Sequence, residues 1–158
     1  MNLMMEGLRF AKGLDPVADA FSGTVNSDVY SMRGYDNIVF VLYVGVGVTG
    51  TTVVTVEACD DVTPTNTTAI VFWYREITTG DTEGAITKAA AAGFTTTAGS
   101  SRIVLVEAKA ADVQAAHAEG FVRLNCVEGV DSPVLGGIHA VLGGGSRYVE
   151  DVKATVIV

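Results

Sequence analysis

The chain has few of the residues that would tie it to a metal, a membrane or a nucleic acid. Its only cysteines are Cys59 and Cys126 and its only histidines His117 and His139, with no C-x-x-C or H-x-x-x-H spacing, so no zinc site is expected. Each cysteine lies in or beside a β-rich run, where a thiol serves as a small buried hydrophobe. Lysine and arginine are scarce, ten against eighteen acidic residues for a formal charge of −8, and they do not cluster. Phosphate backbones would repel such a surface, which excludes nucleic acid as a partner. The longest apolar run, residues 38–48, includes Gly45 and Gly47 and falls well short of the roughly 20 residues that span a bilayer, so no membrane contact is expected. Residues 1–12 lack a basic stretch, an apolar core and a small-residue cleavage site, so they do not read as a signal peptide, and a bacterial-type cytoplasm fits as the place of synthesis.

What is present suits a β core. The 158 residues are 49% hydrophobic with 18 glycines and three prolines, a composition and length for one domain that buries roughly 70% of its unfolded surface. Short β-branched and aromatic runs at 38–44, 52–58, 68–75, 102–108, 121–127, 134–142 and 154–158 alternate with turns rich in glycine, threonine and asparagine. Further strands at 3–10 and 24–32 would bring the count to the eight or nine of a sandwich or jelly roll. The fold expected is therefore all-β, an antiparallel, jelly-roll-like β-sandwich spanning residues 23–158, preceded by an N-terminal arm at 1–22. Two alanine-rich stretches, 83–92 and 109–118, are candidates for short helical crossovers, the second stopped by Gly120.

Alternation assigns faces. Val54, Val56 and Ala58 oppose Thr55 and Glu57, and Val122, Leu124 and Cys126 oppose Arg123 and Asn125, as in strands buried on one side. Residues 38–44 are apolar on both sides, which predicts a strand buried twice, covered by the N-terminal segment or by another subunit.

Gly45-Val46-Gly47-Val48-Thr49-Gly50 matches G-x-G-x-x-G after a strand, but dinucleotide binding needs a helix to begin at that loop, and Thr51 to Val56 reads as a strand. The glycines are then expected to form the flexible tip of a hairpin. No catalytic motif occurs, and Ser100, Ser101 and Ser146 read as turn residues. Asp60, Asp61 and Asn66 offer oxygens to a cation but without the spacing of a calcium loop, which favours a solvated turn. His139, in a glycine-rich strand, is expected to be exposed or intersubunit. Trp73, Tyr74, Tyr35 and Tyr43 suit either a sugar-binding face or a core, with Trp73 and Tyr74 pointing to opposite sides of one strand. No catalytic, cofactor-binding or metal-ligating residue is assigned.

Three segments, Gly34-Tyr35-Asp36-Asn37-Ile38-Val39-Phe40, Val54-Thr55-Val56-Glu57-Ala58-Cys59-Asp60-Asp61 and Ser132-Pro133-Val134-Leu135-Gly136-Gly137, together with the glycine hairpin, resemble small virion proteins encoded in the head region of tailed bacteriophages and prophages. The resemblance extends from about residue 8 to residue 152 and is similar to the group of capsid cement or decoration proteins. It implies a non-enzymatic homotrimer on the outer surface of the virion head that reinforces contacts between subunits of the major capsid protein. A tail, neck or head-completion protein would share the composition, and a carbohydrate-binding sandwich would differ mainly by an exposed aromatic strip. The apolar residues Leu8, Phe10, Leu14, Val17 and Phe21, set among Gly7 and Gly13, are the candidate capsid contacts, with a buried N-terminal strand as the alternative.

Overall fold

Two antiparallel seven-stranded sheets enclose the core in the computed structural model, which describes residues 7–145 and 156–157. Sheet 1 contains β1 (Arg9–Val17), β4 (Asn37–Val44), β7 (Phe72–Thr78), β8 (Thr82–Glu83), β9 (Thr87–Ala89), β11 (Arg102–Lys109) and β13 (Gly136–Gly143). Sheet 2 contains β2 (Thr24–Asn26), β3 (Val29–Ser31), β5 (Thr51–Cys59), β6 (Thr67–Ile70), β10 (Phe94–Thr95), β12 (Phe121–Val130) and β14 (Val156–Ile157).

The order β1-β13-β4-β11 in sheet 1, with β3-β12-β5-β6 in sheet 2, is the winding of a jelly roll, in which successive strands alternate between sheets in two Greek keys. Strand β7 extends sheet 1 beyond β11 and carries β8 and β9 on its outer side. One short helix, α1 (Ala110–Ala116), carries the chain from β11 to β12 and ends before Gly120, whose φ of 73° suits glycine.

Alternation accounts for the core. Ile38, Phe40 and Leu42 of β4 meet Val54, Val56 and Ala58 of β5, with Val104 and Val106 of β11 and Val122 and Leu124 of β12 beside them. Tyr30 crosses the interior from sheet 2, packing edge-on against Phe40 at 5.7 Å while its hydroxyl donates to the Lys12 carbonyl of sheet 1.

Several expectations are corrected. Residues 83–92 are not helical, because Gly84 donates to the Glu76 carbonyl at 2.8 Å and β8 and β9 pair with β7, so sheet pairing overrides alanine's preference. The run 68–75 is two strands, since the chain changes sheets between Ile70 and Phe72. The segment 45–50 is not a hairpin tip, because β4 and β5 lie in different sheets. Nor is it loose: a Cβ on Gly50 would lie 2.5 Å from the Ser132 carbonyl oxygen, and Gly45 donates to the Leu135 carbonyl at 2.7 Å.

Of the stretch 1–22 set apart as an arm, residues 9–17 pair along β13 and Phe21 lies in the core, while residues 1–6 fall outside the described residues. The strand at 24–32 is interrupted at Ser27, whose buried hydroxyl accepts from the Leu124 amide at 2.9 Å. The C-terminal strand is described at Val156–Ile157, opposite Tyr30 and Val29.

Candidate functional site

Among the described residues of one chain, strand β4 is fully buried on one side only. Its second side, Val39, Val41 and Tyr43, forms the middle of the outer face of sheet 1, where Val39 and Val41 are half-buried and Tyr43 is 57% exposed. The register builds rows across this face. One row runs Phe10, Val141, Val39, Glu107, Trp73, Lys88; the next runs Lys12, His139, Val41, Leu105, Arg75. A third runs Gly137, Tyr43, Ile103, Ile77, Glu83. The centre carries β-branched, leucine and aromatic side chains interrupted by Glu107, with a shallow groove lined by Val39, Trp73, Ile86 and Leu105 and by the charged Arg75 and Glu107.

Charges of both signs lie on and around that surface. Lys88 and Lys109 hold their ammonium groups over the Trp73 ring, 5.3 and 4.7 Å from its centroid, an attraction to the negative π face. Lys12 pairs with Asp15 at 2.7 Å and Arg75 with Glu83 at 2.6 Å. Tyr74 points the other way and stacks on Phe94 at 3.6 Å, so the two adjacent aromatics do face opposite sides. A sugar seated on Trp73 would have to displace a lysine.

The sequence-derived contact residues are separated by the fold. Phe10, 59% exposed, joins the open face, and Val17 is exposed near the end of β1. Leu8 and Leu14 are half-buried, with Leu8 against Gly143 and Leu14 against the core, and Phe21 is buried beside Gly136. What sequence reasoning missed are Ile103, Leu105 and Ile77. For Ile103 and Leu105 the signal was present in β11, where Ile103, Val104, Leu105 and Val106 are apolar on both sides, as in β4, whereas Ile77 of β7 stands between the polar Glu76 and Thr78.

The remaining polar candidates do not converge. The Asp60 carboxylate accepts from the Thr65 amide and hydroxyl at 3.1 and 2.8 Å and from the Asn66 amide and side chain at 3.0 and 2.8 Å, forming a turn between β5 and β6. The bonds from Asn66 and Thr65 hold this carboxyl well below the usual range, and donors directed at both oxygens leave an arrangement suited to a turn.

Burial pushes the Cys59 thiol up to about 11 and the Cys126 thiol up to about 12, so neither is an activated nucleophile. Cys59 lies opposite Phe121 and Cys126 opposite Val54, five ladder positions or roughly 17 Å apart, too far for a disulfide. His139 is exposed on the open face, while His117 Nε2 lies 3.1 Å from the Thr68 hydroxyl. Among the described residues, no three His, Cys, Asp or Glu side chains group as metal ligands.

One charge points inward. Arg102 is 5% exposed, with Nη1 3.6 Å from Glu76 Oε2, and both side chains enter the sandwich interior from sheet 1. Glu76 also accepts from the Thr97 amide at 3.0 Å, which fixes the carboxylate at this end of the core.

Comparison with known proteins finds no matching family model, no matching curated protein and no matching solved structure.

Proposed function

We propose that the protein is a non-enzymatic structural component of a bacteriophage virion, a capsid cement protein that binds the outside of the head and reinforces contacts between major capsid subunits. The observation that carries this reading is the open outer face of sheet 1. A sandwich that completes its core and still turns the half-buried Val39, Val41, Ile103 and Leu105 and the exposed Tyr43 outward has apolar area to offer a protein partner.

The resemblance of the segments around Tyr35, Glu57 and Pro133 to phage head proteins supplies the setting, and the jelly roll is an architecture used in capsids. Fold alone does not assign function, so the assignment rests on the face and the resemblance together. Phe10 and Val17, exposed on edge strand β1, remain the candidate capsid contacts from the N-terminal segment. The homotrimer follows from the resemblance. A trimer engaging equivalent capsid sites gains avidity by about 10² to 10⁴ over one subunit even when each contact is small.

The test is composition and stability of purified virions. Copies in the hundreds, comparable to the major capsid protein, and loss of DNA at lower temperature from heads lacking the protein are expected. A handful of copies per particle reassigns it to tail or neck, and equal thermal behaviour of both kinds of head removes the cement role.

A further inference from the structure

Among the described residues Arg102 is the one buried cation, 5% exposed, and its Nε and Nη1 are shut away from solvent without a hydrogen-bond partner. Glu76 does not supply one. Its Oε2 lies 3.6 Å from Arg102 Nη1, near enough to balance the charge but beyond hydrogen-bond distance, and its Oε1 accepts from the Thr97 amide at 3.0 Å, which holds the carboxylate back. Buried guanidinium donors left open are rare in folded proteins, because only an acceptor offsets their loss of water.

Room for that acceptor adjoins them. Arg102 lines a cavity of about 10 Å³ at the loop end of the sandwich, together with the polar Thr52, Thr96 and Thr97 and the apolar Phe21 and Val134. That volume is about what one water-sized ligand needs. Its walls are set. The Thr52 amide donates to Thr96 Oγ1 at 3.0 Å and the Thr96 amide to the Thr52 carbonyl at 2.9 Å, joining the start of β5 to the connection before β11. Gly99 also lines the cavity, at a φ of 120°, where a Cβ would come within 2.9 Å of Arg102 Nη2, so the guanidinium fills space that a side chain would take.

We infer that this cavity is a binding site for a single small hydrogen-bond acceptor held by Arg102, a water molecule or a halide ion. The ligand is an acceptor because the open groups of Arg102 are all donors, and it is small because the cavity holds nothing larger. Between the two, Glu76 favours water. Its carboxylate already balances the guanidinium, so a neutral acceptor adds no charge to the interior, whereas a halide would bring a second anion close to Glu76. Water can also return its protons to threonine oxygens in the wall. The site belongs to the folded chain and does not depend on the virion assignment.

Crystals of the full chain grown from sodium bromide and from sodium gluconate test it. Both should show density for one atom within hydrogen-bond distance of Arg102 Nε or Nη1. Density without anomalous scattering at the bromine edge identifies water, and an anomalous peak in the bromide crystals identifies the halide; either shows the acceptor site, and the first agrees with the charge balance. A cavity without density, or a guanidinium turned out to solvent or onto a protein acceptor, would overturn it. Arg102→Met keeps an unbranched side chain without the donors and should lose the density while the β circular dichroism stays unchanged. Density that persists in this variant would overturn the role of Arg102, because the threonines alone would then hold the ligand. If the variant does not fold, the two crystals of the unaltered chain decide by themselves.

Discussion

The two sheets share one core but finish their outer faces differently. On sheet 2 the outward rows hold polar pairs: Glu57 bonds Arg123 at 2.8 Å, Thr55 bonds Asn125 at 3.3 Å, and Asn125 bonds Asn26 at 2.8 Å, with Val53 opposite Val127 and Phe121 as apolar members. On sheet 1 the corresponding rows are mostly Val, Ile, Leu and aromatic, and the ion pair Arg102–Glu76 is turned inward. Polar pairs finish the first surface, and the second turns more apolar side chains outward. The same strand geometry thus yields a polar side and a more apolar side, decided only by which residues occupy the outward positions.

The largest test of this contrast compares the two ion pairs. Glu76→Gln leaves the Arg102 charge buried without its counterion and should cost about 3–5 kcal/mol in urea unfolding. Equal costs for Glu76→Gln and Glu57→Gln would erase the distinction between inside and outside.

Next comes the shared interior. Cys126→Ser buries a hydroxyl among apolar neighbours and should cost about 1–3 kcal/mol. The same burial gives a pH dependence. Folding raises the two thiols from the ordinary 9.0 to about 11 and about 12, so the native state keeps protons that the unfolded chain loses first. Their contribution is complete below about pH 9 and is lost as pH rises through the folded values. A melting temperature that fell no further from pH 9 to 12 in the native sequence than in Cys126→Ser would contradict this.

The outer polar row should matter less. Glu57→Gln weakens a half-buried pair on the outer face of sheet 2 and is expected to cost about 1–2 kcal/mol, less than the inward pair because Arg123 keeps more access to water than Arg102. Smallest of all, Val41→Thr on the open face should change the stability of the isolated chain by no more than about 0.5 kcal/mol. A loss several times larger would mean that this face is already covered within the chain.

Much of this architecture was legible in the sequence, for reasons that individual strands make plain. In β5 and β12 the inward residues Val54, Val56, Ala58, Val122, Leu124 and Cys126 are apolar and most outward ones are polar, so period-2 alternation assigns the faces of these stretches correctly, with the buried Thr52 as an exception. In β4 and β11 both sides are apolar, so the sequence reports that a second cover is needed without saying whether it is internal. The change of sheet between Ile70 and Phe72 left no mark, because no glycine or proline breaks that run. Residues 45–50 misled in a different way: their glycines are needed for the approach of Ser132, Val134 and Leu135, a long-range contact invisible to local pattern.

Strand β1 carries a further consequence. It is an edge of sheet 1, and an unprotected sheet edge templates runaway strand addition, the route to amyloid. Its pairing with β13 slips between Lys12 and Leu14 and again between Leu14 and Val17, and Pro16 removes one amide donor. A broken rail of this kind offers no continuous ladder to an incoming strand. Strand addition along this edge is therefore obstructed even though Phe10 and Val17 are exposed on it.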